Sequence, residues 1–327
     1  MSRHARSLCL IVAALASVLL ATPPAAWTQT AKALPRIGYL NVIGIPTTFG
    51  DAFRKGLRDL GWKEGDNAVL DYRVVDPARV PETAADMVRR GLDIIVVSAT
   101  AIHGARTATA RVPTVFVIAD DPVRAGYATS LARPGGRMTG LTSLNVDLDA
   151  KRLEILKMAL PTVTRIGVLT TPVDPMTPER VIVVEQAARA LGLQIQILEV
   201  PSAERLPTAF ERAVRGKAGA VMVLGSPPLL LYQSRIVDLA AKAHLPVVSA
   251  WQEFPNQGGL ISYGTNVAAM FERAASFVDR ILKGADPATV PVERATTFEL
   301  VVNVKTARAL GLSIPADLLA RADRLIE

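Results

Sequence analysis

The chain has 327 residues, enough for one large domain or two of ordinary size. Half of them are apolar and a fifth are charged, a globular balance with ample material for a core. The formal charge is +7, from 37 Lys and Arg against 30 Asp and Glu, but no basic block concentrates it and aromatics make up only 5%, which argues against a nucleic-acid surface; one Cys and three His exclude a disulfide framework and most metal sites.

The first element is an address. Met1 to Arg6 carries Arg3 and Arg6, Leu8 to Ala21 is apolar but for Ser17, and Pro23-Pro24 follows. A positive start, a short apolar run and a small-residue region make a secretory signal peptide over residues 1–33, cut after Ala26 or Ala33. Its uncharged run of 14 residues is shorter than the roughly 20 that span a bilayer. Cleavage also removes Cys9 and His4, so the exported chain has no thiol to mispair in an oxidising compartment. Cut after Ala33, the segment takes three positive charges and no negative one, and the net charge falls to +4. Part of the basicity is therefore an export signal.

Beyond the leader, short β-rich runs alternate with helical patterns, the signature of parallel-sheet α/β units. Arg36 to Leu40 reads as a strand, and a helix with Phe53, Leu57 and Leu60 on one face closes at Gly61. Strands follow at 68–75, 94–98 and 114–119, with helices at 81–90 and 102–110. The same order restarts at Arg165-Ile166-Gly167. A helix with Val181, Val184, Ala188 and Leu191 inward ends at Gly192, and strands at 194–200, 220–224 and 247–250 complete the second set, with a helix at 231–243. Leu60-Gly61-Trp62 echoes Leu191-Gly192-Leu193, and Val112-Pro113 echoes Leu245-Pro246.

The expected fold is therefore α/β, with two doubly wound parallel-sheet lobes, a hinge and an interlobe cleft. Residues 34–143 plus 259–290 are assigned to the N-terminal lobe, and residues 144–258 plus 291–327 to the C-terminal lobe. The first crossing is expected between Arg133 and Asn145, and Gly258 to Gly264 reads as a return strand before a long helix that stops at Gly284.

In parallel α/β sheets ligands bind beyond the C-terminal strand ends, where helix N-termini offer free N–H groups. The candidate ligand-binding residues are those just past each strand. In the first lobe they are Asn41 with Thr48, Ser98, Ala99, Thr100 and Asp121; in the second they are Thr170, Thr171, Ser226 and Trp251, with Tyr263 in the return strand. Each has a plainer reading. Ser98 and Thr100 could cap a helix, Asp120 and Asp121 could close a turn before Pro122, and Trp251 could pack instead of stacking on a ligand. His103 and His244 read as exposed helix residues. No catalytic residue, metal or cofactor is expected: the chain has no G-x-S-x-G elbow, no phosphate-cradling G-x-x-x-x-G-K-[ST], no strand-following G-x-G-x-x-G and no H-E-x-x-H.

Several long stretches resemble one family. Phe53-Arg54-Lys55-Gly56-Leu57-Arg58-Asp59-Leu60-Gly61-Trp62, Asp121-Pro122-Val123, Ser130 to Gly136, Lys151 to Leu156, Gly258 to Gly264, Phe298 to Asn303 and Lys305-Thr306-Ala307 are similar to the ABC transporter substrate-binding proteins of TrpX-like type. The resemblance runs from about Pro35 to Glu327. It implies a type I periplasmic-binding-protein fold that closes on a small solute, an amino acid or another small carboxylate, in the periplasm. It also implies a monomer that docks on a membrane ABC permease with its ATPase, and some relatives suggest a carboxylate at the helix N-termini and an ammonium group on Asp121. The chain departs from the family where the ligand matters. Ser98-Ala99-Thr100 stands where members commonly have Gly-Thr-Pro, and Thr171-Pro172 where they have Asn-Pro. The alternative is a periplasmic sensory module acting on a membrane receptor. Neither reading makes the protein an enzyme or a partner of nucleic acid.

Overall fold

A computed structural model describes residues 33–118, 121–143 and 146–327. The expected signal peptide with Cys9 and His4, and the candidate turn residue Asp120, lie outside the described residues. Among those described, no helix is long and apolar enough to cross a membrane, and no group of His, Cys, Asp and Glu could hold a metal ion.

Two sheets organise the chain. The first contains β1 (Arg36–Val42), β2 (Val69–Val75), β3 (Ile94–Ser98), β4 (Thr114–Ile118), β5 (Met138–Thr142) and the short β11 (Glu293–Arg294). Its order is β11-β5-β4-β3-β1-β2, parallel throughout. The second contains β6 (Arg165–Thr170), β7 (Gln194–Glu199), β8 (Ala220–Val223), β9 (Val247–Ser249), β10 (Ile261–Thr265), β12 (Phe298–Asn303) and β13 (Arg324–Ile326). Here the order is β13-β12-β10-β9-β8-β6-β7, with β12 alone antiparallel to its neighbour β10. In both sheets the first five strands follow the same doubly wound pattern, which is the repeat visible in the sequence.

The copies share a packing device. A Cβ on Gly140 in β5 would lie 2.0 Å from the Phe116 carbonyl oxygen, and one on Gly264 in β10 would lie 2.0 Å from that of Ala250. In each copy the fifth strand comes so close to the fourth that only glycine fits.

The helices are α1 (Thr47–Asp59), α2 (Val80–Arg89), α3 (Ala99–Ala105), α4 (Val146–Ala159), α5 (Thr177–Ala190), α6 (Leu206–Arg215), α7 (Pro227–Leu230), α8 (Gln233–Lys242), α9 (Glu253–Asn256), α10 (Val267–Leu282), α11 (Val304–Ala309) and α12 (Ala316–Ala320). The single helix expected over 231–243 is two, because Pro227 and Pro228 pre-set the first turn of α7 and start a helix early.

Three crossings join the sheets. After β5 the chain leaves the first sheet, and α4 packs on β9 and β10 of the second; after β10 it returns, and α10 packs on α1 and on β3 to β5. The last crossing runs from β11 to β12. This corrects the expected lobe boundaries. Ile261–Thr265 pairs with β9 and β12, so residues 259–265 belong with the second sheet, and Glu293–Arg294 pairs with β5 in the first. The reason is the repeat itself: in each copy the fifth strand stays with its sheet, and it is the following helix that changes sides.

Buried apolar residues form three clusters. One covers the α2–α3 face of the first sheet, and another the α4–α5 face of the second. The third joins the facing sides of both sheets, with Phe49, Phe53 and Phe271 from the first half and Leu229, Leu230, Trp251 and Phe254 from the second. The two halves thus meet through apolar contact around the space between them.

Candidate functional site

The C-terminal ends of β1, β3 and β4 face those of β6, β8 and β9 across a cleft with two adjoining chambers. The inner chamber, about 50 Å³, is walled by Phe49, Val117, Leu230, Trp251, Met270 and Phe271 with Ser98 and Ser143. The outer one, about 320 Å³, is walled by Ile102, His103, Tyr127, Asp174, Pro175 and Tyr232 among others. Ala99, Thr100, Ile118 and Pro227 border both. The outer volume lies at the lower end of the range of about 300–1,000 Å³ usual for small-molecule sites. The walls are apolar and aromatic with a few hydroxyls, suited to a compact solute with an apolar body and a small polar group.

Across the mouth, Arg124 from the first half pairs with Glu179 on α5 of the second. A Cβ on Gly44, in the β1–α1 turn, would already touch Leu231 of the other half at 3.4 Å. The halves are in contact, and this is a closed arrangement.

The first-half wall is a neutral hydrogen-bond chain. Asn41 Nδ2 donates to Tyr39 Oη at 2.9 Å, Ser98 Oγ donates to Asn41 Oδ1 at 2.6 Å, and Ser98 Oγ stands 3.0 Å from Thr100 Oγ1. Burial pushes the Tyr39 phenol far above its ordinary range, so it stays protonated. Ser98 precedes α3 but makes no side-chain cap. Its hydroxyl serves Asn41 instead, which settles one of the alternatives left open by the sequence.

The second-half wall rests on buried ions. Asp149 Oδ1 is 2.5 Å from Arg152 Nη1, and Asp149 Oδ2 is 3.0 Å from Arg180 Nη1; all three side chains have no exposed surface. Arg152 Nε donates to the Tyr263 carbonyl at 2.7 Å, and Gly225 N–H reaches Asp149 Oδ1 at 3.4 Å. Burial pulls the Arg152 guanidinium below its ordinary value, Asp149 opposes this, and the Arg180 charge adds to it. The cluster ties α4 and the end of β10, both next to crossings, to the loop after β8 that carries Ser226 and Pro227.

Of the expected residues, Ser98, Ala99, Thr100 and Trp251 border the cleft. Asn41 stands behind Ser98. Thr170, Thr171 and Ser226 are buried at strand ends without bordering either chamber, and Ser226 Oγ has no hydrogen-bond partner. Thr48 is exposed on the first turn of α1. The Asp121 carboxylate accepts from the N–H groups of Val123 at 2.8 Å and Arg124 at 3.3 Å, which closes a turn, and it borders neither chamber. Tyr263 packs its ring near Phe298 and offers only its carbonyl to Arg152.

The sequence reading passed over the ionic cluster and the apolar wall of Leu230, Met270 and Phe271. A signal for the cluster exists: Arg180 shares a stripe with Val184 and Ala188, and Arg152 shares one with Leu156 and Ala159. A charged residue at an inward position of an amphipathic helix marks a buried ion pair.

The model of the family described as ABC transporter substrate binding protein matches residues 48–326. The chain belongs to that family. A tyrosine-binding protein of Clostridioides difficile is 26% identical over 266 residues, 80% of this chain and 75% of that protein. Among solved structures, an ABC domain in complex with L-Trp from Streptococcus pneumoniae is 25% identical, with a TM-score of 0.81 over 90% of this chain and all of that one. A conserved domain protein from Vibrio cholerae is 25% identical, with a TM-score of 0.80 over 89% of this chain and 99% of that one. The fold is that of the type I periplasmic binding proteins, and the family is one of solute receptors.

Proposed function

We propose that the protein is the exported receptor of an ABC importer, capturing an aromatic amino acid between its two halves and delivering it to a membrane permease with its ATPase. The observation that carries the reading is the aromatic, nearly charge-free cleft, whose inner chamber is bordered by Phe49, Trp251 and Phe271 together with Ser98 and Thr100. An aromatic side chain gains dispersion and burial against such walls, and the polar end of an amino acid needs the hydroxyls and backbone groups at the strand ends. That some relatives bind tyrosine and tryptophan agrees with this. The leader and the thiol-free remainder favour the periplasm as the place of capture, with the receptor acting as a monomer and without chemistry of its own.

Ligand and delivery are tested separately. In a thermal-shift screen of the twenty amino acids, tyrosine, tryptophan or phenylalanine should raise the melting temperature in proportion to the logarithm of concentration above Kd, because only the folded cleft binds. A screen in which no aromatic amino acid shifts the transition rejects the ligand class. Delivery is read from the ATPase rate of the reconstituted permease complex, which should rise on adding the loaded receptor.

A further inference from the structure

This inference rests on the reading of the cleft as a solute site and concerns how the ligand wall is joined to the hinge. The second crossing passes through Asn266, which follows β10 and caps α10. Asn266 Oδ1 accepts from Ala269 N–H at 2.9 Å, so one end of this amide belongs to the helix. That helix is packed tightly into the first half. A Cβ on Gly56 of α1 would run into the Glu272 carbonyl oxygen, Lys55 Nζ is 2.7 Å from Glu272 Oε1, and Trp62 Nε1 donates to Asp279 Oδ1 at 3.0 Å. The other end of the Asn266 amide reaches the second half. Its Nδ2 donates to Glu299 Oε1 at 3.0 Å, and Glu299 stands on β12, between β10 and β13.

The second oxygen of Glu299 is taken from the side of the ligand. Gln252 Nε2 donates to Glu299 Oε2, and Gln252 directly follows Trp251, which borders the inner chamber. One half-buried carboxylate thus holds two amides, one beside the ligand wall and one in the joint between the halves. The far end of β12 offers a contrast. Asn303 also caps a helix, accepting from Thr306 N–H at 2.7 Å, and its Nδ2 donates to the Pro255 carbonyl at 2.7 Å. Both of those partners lie in the second half, so the Asn303 amide spans no joint.

We propose that Glu299 is the positioning residue that couples the ligand wall to the hinge: it sets the Trp251 segment through Gln252 and holds the closed arrangement through Asn266. Rotation of the halves about the crossings turns α10 against β12. The Asn266–Glu299 bond is therefore a contact of the closed state, whereas the cap of α10 survives the motion. Because the two donors fall on different oxygens of one side chain, the wall and the joint are positioned together.

The test exchanges donor and acceptor. Asn266→Asp keeps the cap of α10, since a carboxylate oxygen still accepts from Ala269 N–H, but sets a second carboxylate against Glu299. Ligand-free Asn266→Asp should show a larger radius of gyration in small-angle scattering than the wild type. Its affinity for L-tyrosine, L-tryptophan or L-phenylalanine, whichever the wild type binds, should fall by about 3- to 10-fold, the size of one net hydrogen bond. Gln252→Glu opposes the other oxygen in the same way and should weaken the same probes by a similar factor. Adding Glu299→Gln should rescue each variant, because the new amide donates to the introduced carboxylate and accepts from the amide that remains. Asn303→Asp is the control: it should lower the melting temperature and leave the ligand-free radius of gyration at the wild-type value. If Asn266→Asp fails to fold, Gln252→Glu and its rescue carry the test. Asn266→Asp that stays as compact as the wild type and binds as tightly, or an expansion that Glu299→Gln does not reverse, overturns the coupling and leaves the solute-site reading standing. Wild type that binds none of the three amino acids rejects that ligand class instead, and the scattering of Asn266→Asp with and without Glu299→Gln then decides the inference by itself.

Discussion

The two walls of the cleft are built from the same repeat but held by different chemistry. Behind the strand ends of the first half stands a chain of neutral groups, Tyr39, Asn41, Ser98 and Thr100; behind those of the second stand Asp149, Arg152 and Arg180 with no exposure to water. A neutral hydrogen bond contributes modestly, and losing one leaves a moderate desolvation cost. A buried ion pair contributes little net stability when complete and costs a great deal when one member is removed. The first wall therefore tolerates perturbation, and the second holds its shape in an all-or-none way. The ionic wall is also the one next to the crossings, where a rigid link between α4, β10 and the loop after β8 lets the half move as a body about them.

Removing the shared carboxylate should break this contrast most strongly. Asp149→Ala takes the carboxylate from the fully buried Arg152 guanidinium and should lower unfolding stability by about 3–5 kcal/mol in chemical denaturation. The matched change in the other wall, Asn41→Ala, strands the Ser98 hydroxyl and the Val42 N–H and should cost about 1–3 kcal/mol. Equal losses in the two variants would mean that the walls are held alike. A combined change of Asp149, Arg152 and Arg180 to apolar residues of similar volume, with Asp174→Asn because that carboxylate pairs with Arg180, should recover much of the Asp149→Ala loss, because no charge of the cluster is left unpaired.

The sequence made the repeat legible because both copies obey the same local rules: a β-rich run, an amphipathic helix, a glycine stop. Arg36-Ile37-Gly38 and Arg165-Ile166-Gly167 open the two sheets in the same register, each isoleucine pairing with the second strand of its own copy. Strand ends are equally legible, which is why Ser98, Ala99, Thr100 and Trp251, all expected there, border the cleft. What stayed hidden depends on contacts between distant segments. Met270 and Phe271 sit on a helix whose stripe reads as ordinary core, and only the crossing after β10 brings that helix to the cleft. Asp121 and Asp174 both follow a strand and look equivalent in sequence. They differ in that both nearby N–H groups fall on Asp121 Oδ1 in its turn, whereas the Asp174 turn stands against the outer chamber.

The smallest expected effect lies where the walls meet. Arg124 and Glu179 are both more than 40% exposed, so their pairing is screened by water and salt and contributes at most about 1 kcal/mol. Stability should scarcely register Glu179→Gln. Closure should, because this pair joins two bodies that also meet through a shared apolar cluster, and a free energy of that size shifts an open–closed balance by up to about five-fold. Small-angle scattering of ligand-free Glu179→Gln should therefore show a larger radius of gyration than the wild type at low salt, with the difference fading as salt rises. A saturating ligand should restore equal compactness in both proteins, since its contacts with the two walls outweigh one surface pair. If the variant instead remains as compact as the wild type at low salt without ligand, the apolar seam of Phe49, Leu230 and Trp251 holds the halves together by itself.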